Sequence, residues 1–233
     1  MRVAVVPAAG LGKRFGGKKQ FFTVMGKKLL EYPLLVMEKS ELVDGVILVL
    51  PAQDLETGRE LQSRFRKVVK VVEGGKERQH SVYRGLLAAK ELSPQEVFIH
   101  DGVRPLITPA LLNDLVVALS DYQVEGVIPA VKPKETVKEA GAPLEPGDFM
   151  VNRTLNRDKL LLAQTPQLFR FDVLLECHRK ALEEEFIATD DSALIERYGY
   201  QTVAIPGDYR NIKVTTPEDL KIVELFLKEF YLV

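Results

Sequence analysis

The chain has 233 residues, 46% of them hydrophobic and 28% charged, the balance of an ordinary folded protein rather than a disordered or fibrous one. Lys and Arg (32) nearly match Asp and Glu (33), for a net charge of -1, so the basic excess of a general nucleic-acid binder is missing. No stretch approaches the roughly 18 consecutive apolar residues of a membrane span, and the lone Cys177 excludes an internal disulfide, so the expectation is a cytoplasmic protein with no nucleic-acid or membrane partner.

Along the chain, short β-branched runs alternate with helical spacing. Val3–Val6, Val46–Leu50, Val68–Val72, Val97–Ile99 and Val127–Val131 read as strands. Leu29–Lys39, Leu55–Phe65, Ser81–Leu92 and Leu111–Leu119 carry apolar residues near the helical period. Thr108-Pro109 and Thr216-Pro217 each offer a hydroxyl N-cap followed by proline at the first helical position. Thr216 to Asp219 also resembles a capping box, with Asp in place of Glu. Such alternation predicts an α/β fold, a mostly parallel sheet with helices on both faces, whose ligands bind at the carboxyl ends of strands. The segment from Lys132 to Asp158 breaks the rhythm with Pro133, Gly141, Pro143, Pro146 and Gly147. An irregular loop that long inside a compact domain tends to be functional. It reads as a projecting arm or hairpin that contacts a second subunit, within a single domain spanning 1–233.

The first strand runs into a loop with four glycines, Gly10, Gly12, Gly16 and Gly17, and four cations, Lys13, Arg14, Lys18 and Lys19. Glycines let the backbone approach an anion closely with its N–H groups turned inward, so this loop reads as a nucleotide triphosphate cradle or, alternatively, a solvated surface turn. The dinucleotide fingerprint fails at Phe15, and the P-loop pattern fails at Lys19, where a magnesium-binding hydroxyl should stand.

Other constellations are placed at element ends by pattern. Asp101 in His100-Asp101-Gly102-Val103-Arg104-Pro105 closes an apolar run, where a carboxylate suits magnesium held against phosphate oxygens. Arg104 suits a phosphate anchor or an ion pair to Asp101. Gly74-Gly75 and Ser81 suit a base or ribose, or a plain strand-to-helix turn. Lys213 suits a developing negative charge. Gln164-Thr165-Pro166-Gln167 and Thr189-Asp190-Asp191-Ser192 read by default as caps or turns. His80, His100 and His178 lack zinc-site spacing, and Cys177, in a helix-like stretch, reads as a buried structural thiol.

The order of these motifs is more specific than any one of them. P-A-A-G-L-G-K-R-F with K-K-Q, then G-G-K-E-R-Q-H-S-V, H-D-G-V-R-P, K-E-T-V-K, L-N-R-D-K-L, A-Q-T-P-Q-L-F, T-D-D-S and N-I-K-V-T-T-P-E-D-L run through nearly the whole chain. This series resembles the 2-C-methyl-D-erythritol 4-phosphate cytidylyltransferases, with departures at Lys18, where proline is usual, and at Val103, where alanine is more frequent. The resemblance implies a Rossmann-like nucleotidyltransferase fold, CTP and a phosphorylated polyol as substrates, Mg2+ as cofactor, and a homodimer joined by the arm. It implies catalytic roles for Arg14, Lys19 and Lys213, and nucleotide contacts from Ala8, Ala9, Gly10, Gly12, Gly75, Ser81 and the metal-associated Asp101. It also implies acceptor contacts from Arg104, Thr165 and Thr189, with Thr136 and Arg157 reaching the partner's site from the arm. Ribitol-5-phosphate cytidylyltransferases resemble the chain over most of the same motifs, and a CTP-binding regulator without turnover is the remaining alternative.

Overall fold

The structure, a computed structural model, describes residues 1–10, 12 and 15–231, without the side chains of the last two. In chain order the elements are β1 (Arg2–Pro7), the small hairpin β2 (Thr23–Val24) and β3 (Lys27–Lys28), α1 (Glu31–Lys39), β4 (Gly45–Leu50), α2 (Leu55–Arg64), β5 (Val68–Glu73), α3 (Arg78–Lys90) and β6 (Glu96–Ile99). There follow α4 (Pro109–Tyr122), β7 (Gly126–Val131), β8 (Lys138–Pro143), β9 (Phe149–Thr154), β10 (Leu162–Ala163), β11 (Gln167–Arg170), α5 (Phe171–Glu183), α6 (Asp191–Arg197), β12 (Thr202–Pro206) and α7 (Pro217–Tyr231).

Among the described residues, eight strands form one sheet in which β7, β11, β6, β1, β4 and β5 lie side by side and β10 and β12 also pair with β7. Pairings β5–β4, β4–β1, β1–β6 and β7–β12 are parallel, while β10 and β11 run antiparallel to their neighbours. Successive side chains alternate between the faces, and the runs of the inner strands β1, β4 and β6 are buried on both, whereas edge strand β5 leaves Val69 exposed. In β1, Ala4 and Val6 pack with Leu34 and Met37 of α1 and Leu112 and Leu115 of α4. Val3 and Val5 pack oppositely, with Val82 and Leu86 of α3 and Leu174 and Cys177 of α5. Cys177 is fully buried, and burial pushes its thiol up to about 11, as a structural thiol should be.

The five expected strands all form, each one residue longer at one end or, for β1, at both, and so do the four expected helices. Thr108 caps α4, accepting from the Leu111 N–H at 3.2 Å with Pro109 at the first helical position. Asp219 accepts from the Thr216 N–H at 2.9 Å, the backbone half of the expected capping box on α7. Helix α3 begins three residues earlier than its apolar spacing predicts. Glu77 and His80 form a reciprocal cap there, so Ser81 lies inside the first turn.

Lys132 to Asp158 is an arm rather than an irregular loop. Strands β8 and β9 pair antiparallel, and every residue of β9 is exposed, Phe149, Met150 and Val151 included. No helix among the described residues is long and apolar enough to cross a membrane.

Candidate active site

The carboxyl ends of β1, β5 and β6 open into one cleft. After β1, the Ala8 N–H is tied to Val49 O at 2.8 Å, and the buried Gln20 carboxamide donates to Ala8 O at 2.9 Å and Gly10 O at 3.3 Å. Gly12 has φ +64°, and a Cβ there would stand 1.8 Å from Gly17 O, so this turn of the loop admits glycine alone. After β5, a Cβ on Gly74 would stand 2.2 Å from the Ala9 Cβ; the twin glycine lets the two loops meet. Gly75 N–H donates to Ser81 Oγ at 3.1 Å, and that hydroxyl donates to Glu77 O at 3.1 Å. Ser81 therefore shapes the loop beside the cavity that it lines. The cavity between these loops is about 250 Å³, with Ala8, Ala9, Gly10, Gly75 and Lys19 on its wall. Lys19 Nζ donates to Val214 O at 2.6 Å, linking the glycine-rich loop to the approach of α7.

A charged cluster closes the floor. Asp101, 5% exposed just past β6, takes Arg78 Nε on Oδ1 at 2.8 Å and Lys213 Nζ on Oδ2 at 2.7 Å. Burial opposes the charge on Asp101, but Arg78, Lys213 and Arg104 outweigh it and hold the carboxyl well below the usual range. Arg78 also donates through Nη1 to Asp191 Oδ2 at 2.7 Å, and the buried His178 Nε2 lies 3.0 Å from Asp191 Oδ1. Two carboxylates thus fix one guanidinium whose own burial alone would disfavour its charge.

Beyond this cluster lies a second cavity of about 240 Å³, bordered by Arg104, Gln164, Thr165, Thr189 and Asp190. Arg104 is not the partner of Asp101 that proximity in sequence suggests. Its Nη1 reaches Asn211 O at 2.7 Å, while its Nε is buried without a partner. Thr165 follows β10 at a cis bond to Pro166. Its hydroxyl accepts from the Asp101 N–H at 3.1 Å; the Arg104 carbonyl, 3.0 Å from His100 Nε2, can only accept, so the neutral ring donates there and accepts from the Thr165 hydroxyl on Nδ1 at 3.0 Å. Burial lowers the His100 pKa to about 4, which keeps the ring neutral for this chain of bonds.

The two cavities share Arg78, Asp101 and Lys213. Ala8, Ala9, Gly10, Lys19, Gly75 and Ser81 border the first and Arg104, Thr165 and Thr189 the second. Gly12 stands in the glycine-rich loop, and Arg14 lies outside the described residues. Thr136 and Arg157 are both exposed at the base of the arm. Arg157 donates to Lys134 O at 3.0 Å and borders a separate depression that shares no lining residue with the two cavities. Sequence reasoning missed Arg78, Gln164, Asp191 and Asn211 as site-builders. The signal for Arg78 was present in G-G-K-E-R, but its two partners lie 23 and 113 residues away.

Residues 2–229 match the family described as IspD: 2-C-methyl-D-erythritol 4-phosphate cytidylyltransferase. The chain belongs to this family. Relatives carrying that cytidylyltransferase name include one from Geotalea uraniireducens, 44% identical with 98% of this chain and 97% of the relative covered. Another, from Geobacter metallireducens, is 41% identical with 97% of each covered. A solved 4-diphosphocytidyl-2C-methyl-D-erythritol synthase from Anaerococcus prevotii superposes with a TM-score of 0.84 at 32% identity, over 97% of this chain and 96% of that one. The Francisella tularensis 2-C-methyl-D-erythritol 4-phosphate cytidylyltransferase gives 0.82 at 28%, over 96% and 98%. The expected Rossmann-like nucleotidyltransferase architecture is therefore the family's own fold.

Proposed function

We propose that the protein transfers the cytidylyl group of CTP to 2-C-methyl-D-erythritol 4-phosphate, giving 4-diphosphocytidyl-2-C-methyl-D-erythritol and pyrophosphate. The observation that carries this reading is the pair of cavities meeting at Arg78, Asp101 and Lys213. A nucleotide in the first and a phosphorylated polyol in the second bring two anions together over a cationic floor.

An oxygen of the acceptor phosphate attacks the α-phosphorus of CTP, and the bond from that phosphorus to the bridging oxygen breaks as pyrophosphate departs with the electron pair. The attacking oxygen is already ionised, so no protein base is required, and catalysis consists of positioning and charge stabilisation. Ala8, Ala9, Gly10, Gly12, Gly75 and Ser81 shape the nucleoside and phosphate contacts. Arg14, Lys19 and Lys213 neutralise the triphosphate. Arg104, with its unpartnered buried Nε, Thr165 and Thr189 receive the acceptor.

Magnesium fits as an ion shared with substrate. No three His, Cys, Asp or Glu side chains cluster among the described residues, and one carboxylate plus substrate phosphates is a common magnesium arrangement. Asp101, held ionised, is that carboxylate, and the bound ion supplies charge neutralisation to the leaving pyrophosphate. The exposed apolar β9 supports a homodimer, because a lone two-stranded hairpin is marginally stable in water. In that dimer each arm gives Thr136 and Arg157 to its partner's acceptor pocket.

The test is pyrophosphate release from CTP and magnesium with 2-C-methyl-D-erythritol 4-phosphate, beside D-ribitol 5-phosphate and a no-acceptor control. Release with the first acceptor alone is expected. Preference for ribitol phosphate reassigns the acceptor, and silence with both overturns the catalytic reading.

A further inference from the structure

We propose that Gln79, a residue bordering neither cavity, is a positioning residue for the acceptor site. The inference rests on the cytidylyl-transfer reading and concerns the loop that joins α5 to α6. Thr189 sits in that loop, exposed against the acceptor cavity.

Gln79 is the second residue of α3 and is 7% exposed. Its carboxamide Nε2 donates to Phe186 O at 2.9 Å, and its Oε1 accepts from the Ala188 N–H at 2.8 Å. One side chain thereby serves two backbone groups of the same loop, as a neighbouring strand would. The beginning of the loop is set by the end of α5. Glu185 adopts φ +53°, and Phe186 N–H returns to Ala181 O at 2.9 Å while Glu185 N–H returns to Leu182 O at 3.3 Å, a turn that closes helices. The far end is pinned at Asp190, which accepts from Ala193 N–H at 3.0 Å and from Gln167 Nε2 at 2.8 Å, and at Asp191, which Arg78 and His178 hold. Between Ala188 and Asp190 only Thr189 remains, so the Gln79 bonds fix the side of Thr189 that the Asp190 cap leaves open. Arg78 beside it fixes the other side, and the first turn of α3 brackets the acceptor loop.

Two ordinary hydrogen bonds have a modest net worth, and their loss here falls on the loop rather than on either cavity wall. Gln79→Met keeps length and bulk and removes both bonds. Its KM for 2-C-methyl-D-erythritol 4-phosphate is expected to rise about tenfold, with KM for CTP within about twofold of wild type. Gln79→Glu keeps an acceptor for Ala188 but replaces the donor to Phe186 O with a buried oxygen that repels it, and its acceptor KM should rise at least as far as that of Gln79→Met. Hydrogen exchange at the Ala188 amide should quicken in Gln79→Met and stay protected in Gln79→Glu. An acceptor KM that does not move, or one that moves together with the CTP KM, overturns the role of Gln79; if Gln79→Met fails to fold, the same criterion is read on Gln79→Glu. A wild-type protein without turnover on any acceptor overturns instead the reading beneath it.

Discussion

Lys213 Nζ stands 2.7 Å from Asp101 Oδ2, so the cation assigned to the reacting centre is already paired with the carboxylate assigned to the metal. Arg78 on the second oxygen and Lys213 together hold the Asp101 carboxyl ionised in the cleft against its burial. An arriving triphosphate with its counter-ion can exchange partners with this pair without leaving a buried charge uncompensated, the circumstance that makes broken ion pairs costly.

Asp101→Asn should therefore lower kcat by about 10²–10³, the range for losing one preorganised electrostatic contact. The variant should remain folded, because Arg78 keeps Asp191 as its buried partner. Pyrophosphate release together with a thermal melt decides the matter. Turnover within tenfold of wild type in a folded Asp101→Asn protein would remove Asp101 from the reaction.

Lys19→Ala and Lys213→Ala should each lose most turnover, again about 10²–10³, while keeping the wild-type circular dichroism. Lys213 is partly exposed and Lys19 bonds the Val214 carbonyl, so neither truncation opens the core. Steady-state kinetics on the purified variants provides the check, and near-normal rates in either reject that lysine's role.

What was legible in the sequence follows from the range of the interactions. The strands could be read because each apolar run is local and rich in β-branched residues, and the Thr108 cap because its partner, Leu111, is three residues on. The glycine-rich loop and Asp101 were legible as a phosphate site by residue type alone. Arg78 and Gln79 were not, because their partners Asp191, Phe186 and Ala188 come from the start of α6 and the loop before it, more than 100 residues away. Proximity in sequence misled for Arg104, which lies beside Asp101 in the chain but bonds the Asn211 carbonyl. The arm was legible as an excursion through its prolines and glycines, yet its β8–β9 pairing was not, since neither strand has a buried face to impose alternation.

His100 makes stability depend on pH above the carboxylate range. The unfolded ring takes a proton near pH 6.5, whereas the folded ring, buried and donating to Arg104 O while accepting from Thr165, does so only near about 4. Between these values the unfolded state binds more protons, so stability is complete above about pH 6.5 and falls as pH drops toward 4. At roughly 1.4 kcal/mol per tenfold change in proton affinity, the loss reaches about 3 kcal/mol. Asp101 and Asp191, both depressed, contribute stability above the unfolded carboxylate value and lose it at still lower pH. Urea midpoints measured from pH 7.5 to 4.5 should decline in wild type and decline less in His100→Gln; equal slopes would remove His100 as the cause.

The arm sets a numerical expectation for mixed dimers. If Thr136 and Arg157 of one protomer complete the acceptor pocket of the other, Lys213→Ala and Arg157→Ala disable different halves of each site. Each homodimer is then inactive. A mixed dimer has one site lacking both groups and one that draws Lys213 from the Arg157→Ala protomer and Arg157 from the Lys213→Ala protomer. Random reassembly makes half of the dimers mixed, so about a quarter of the wild-type sites return in a symmetric two-fold assembly. Pyrophosphate release after unfolding the two variants together and refolding them should rise to that level, against separately refolded controls. No recovery, with dimers present by sedimentation, would leave Arg157 acting within its own chain. Phe149→Asp, on the exposed apolar strand of the arm, should abolish recovery and shift the sedimenting species to monomer.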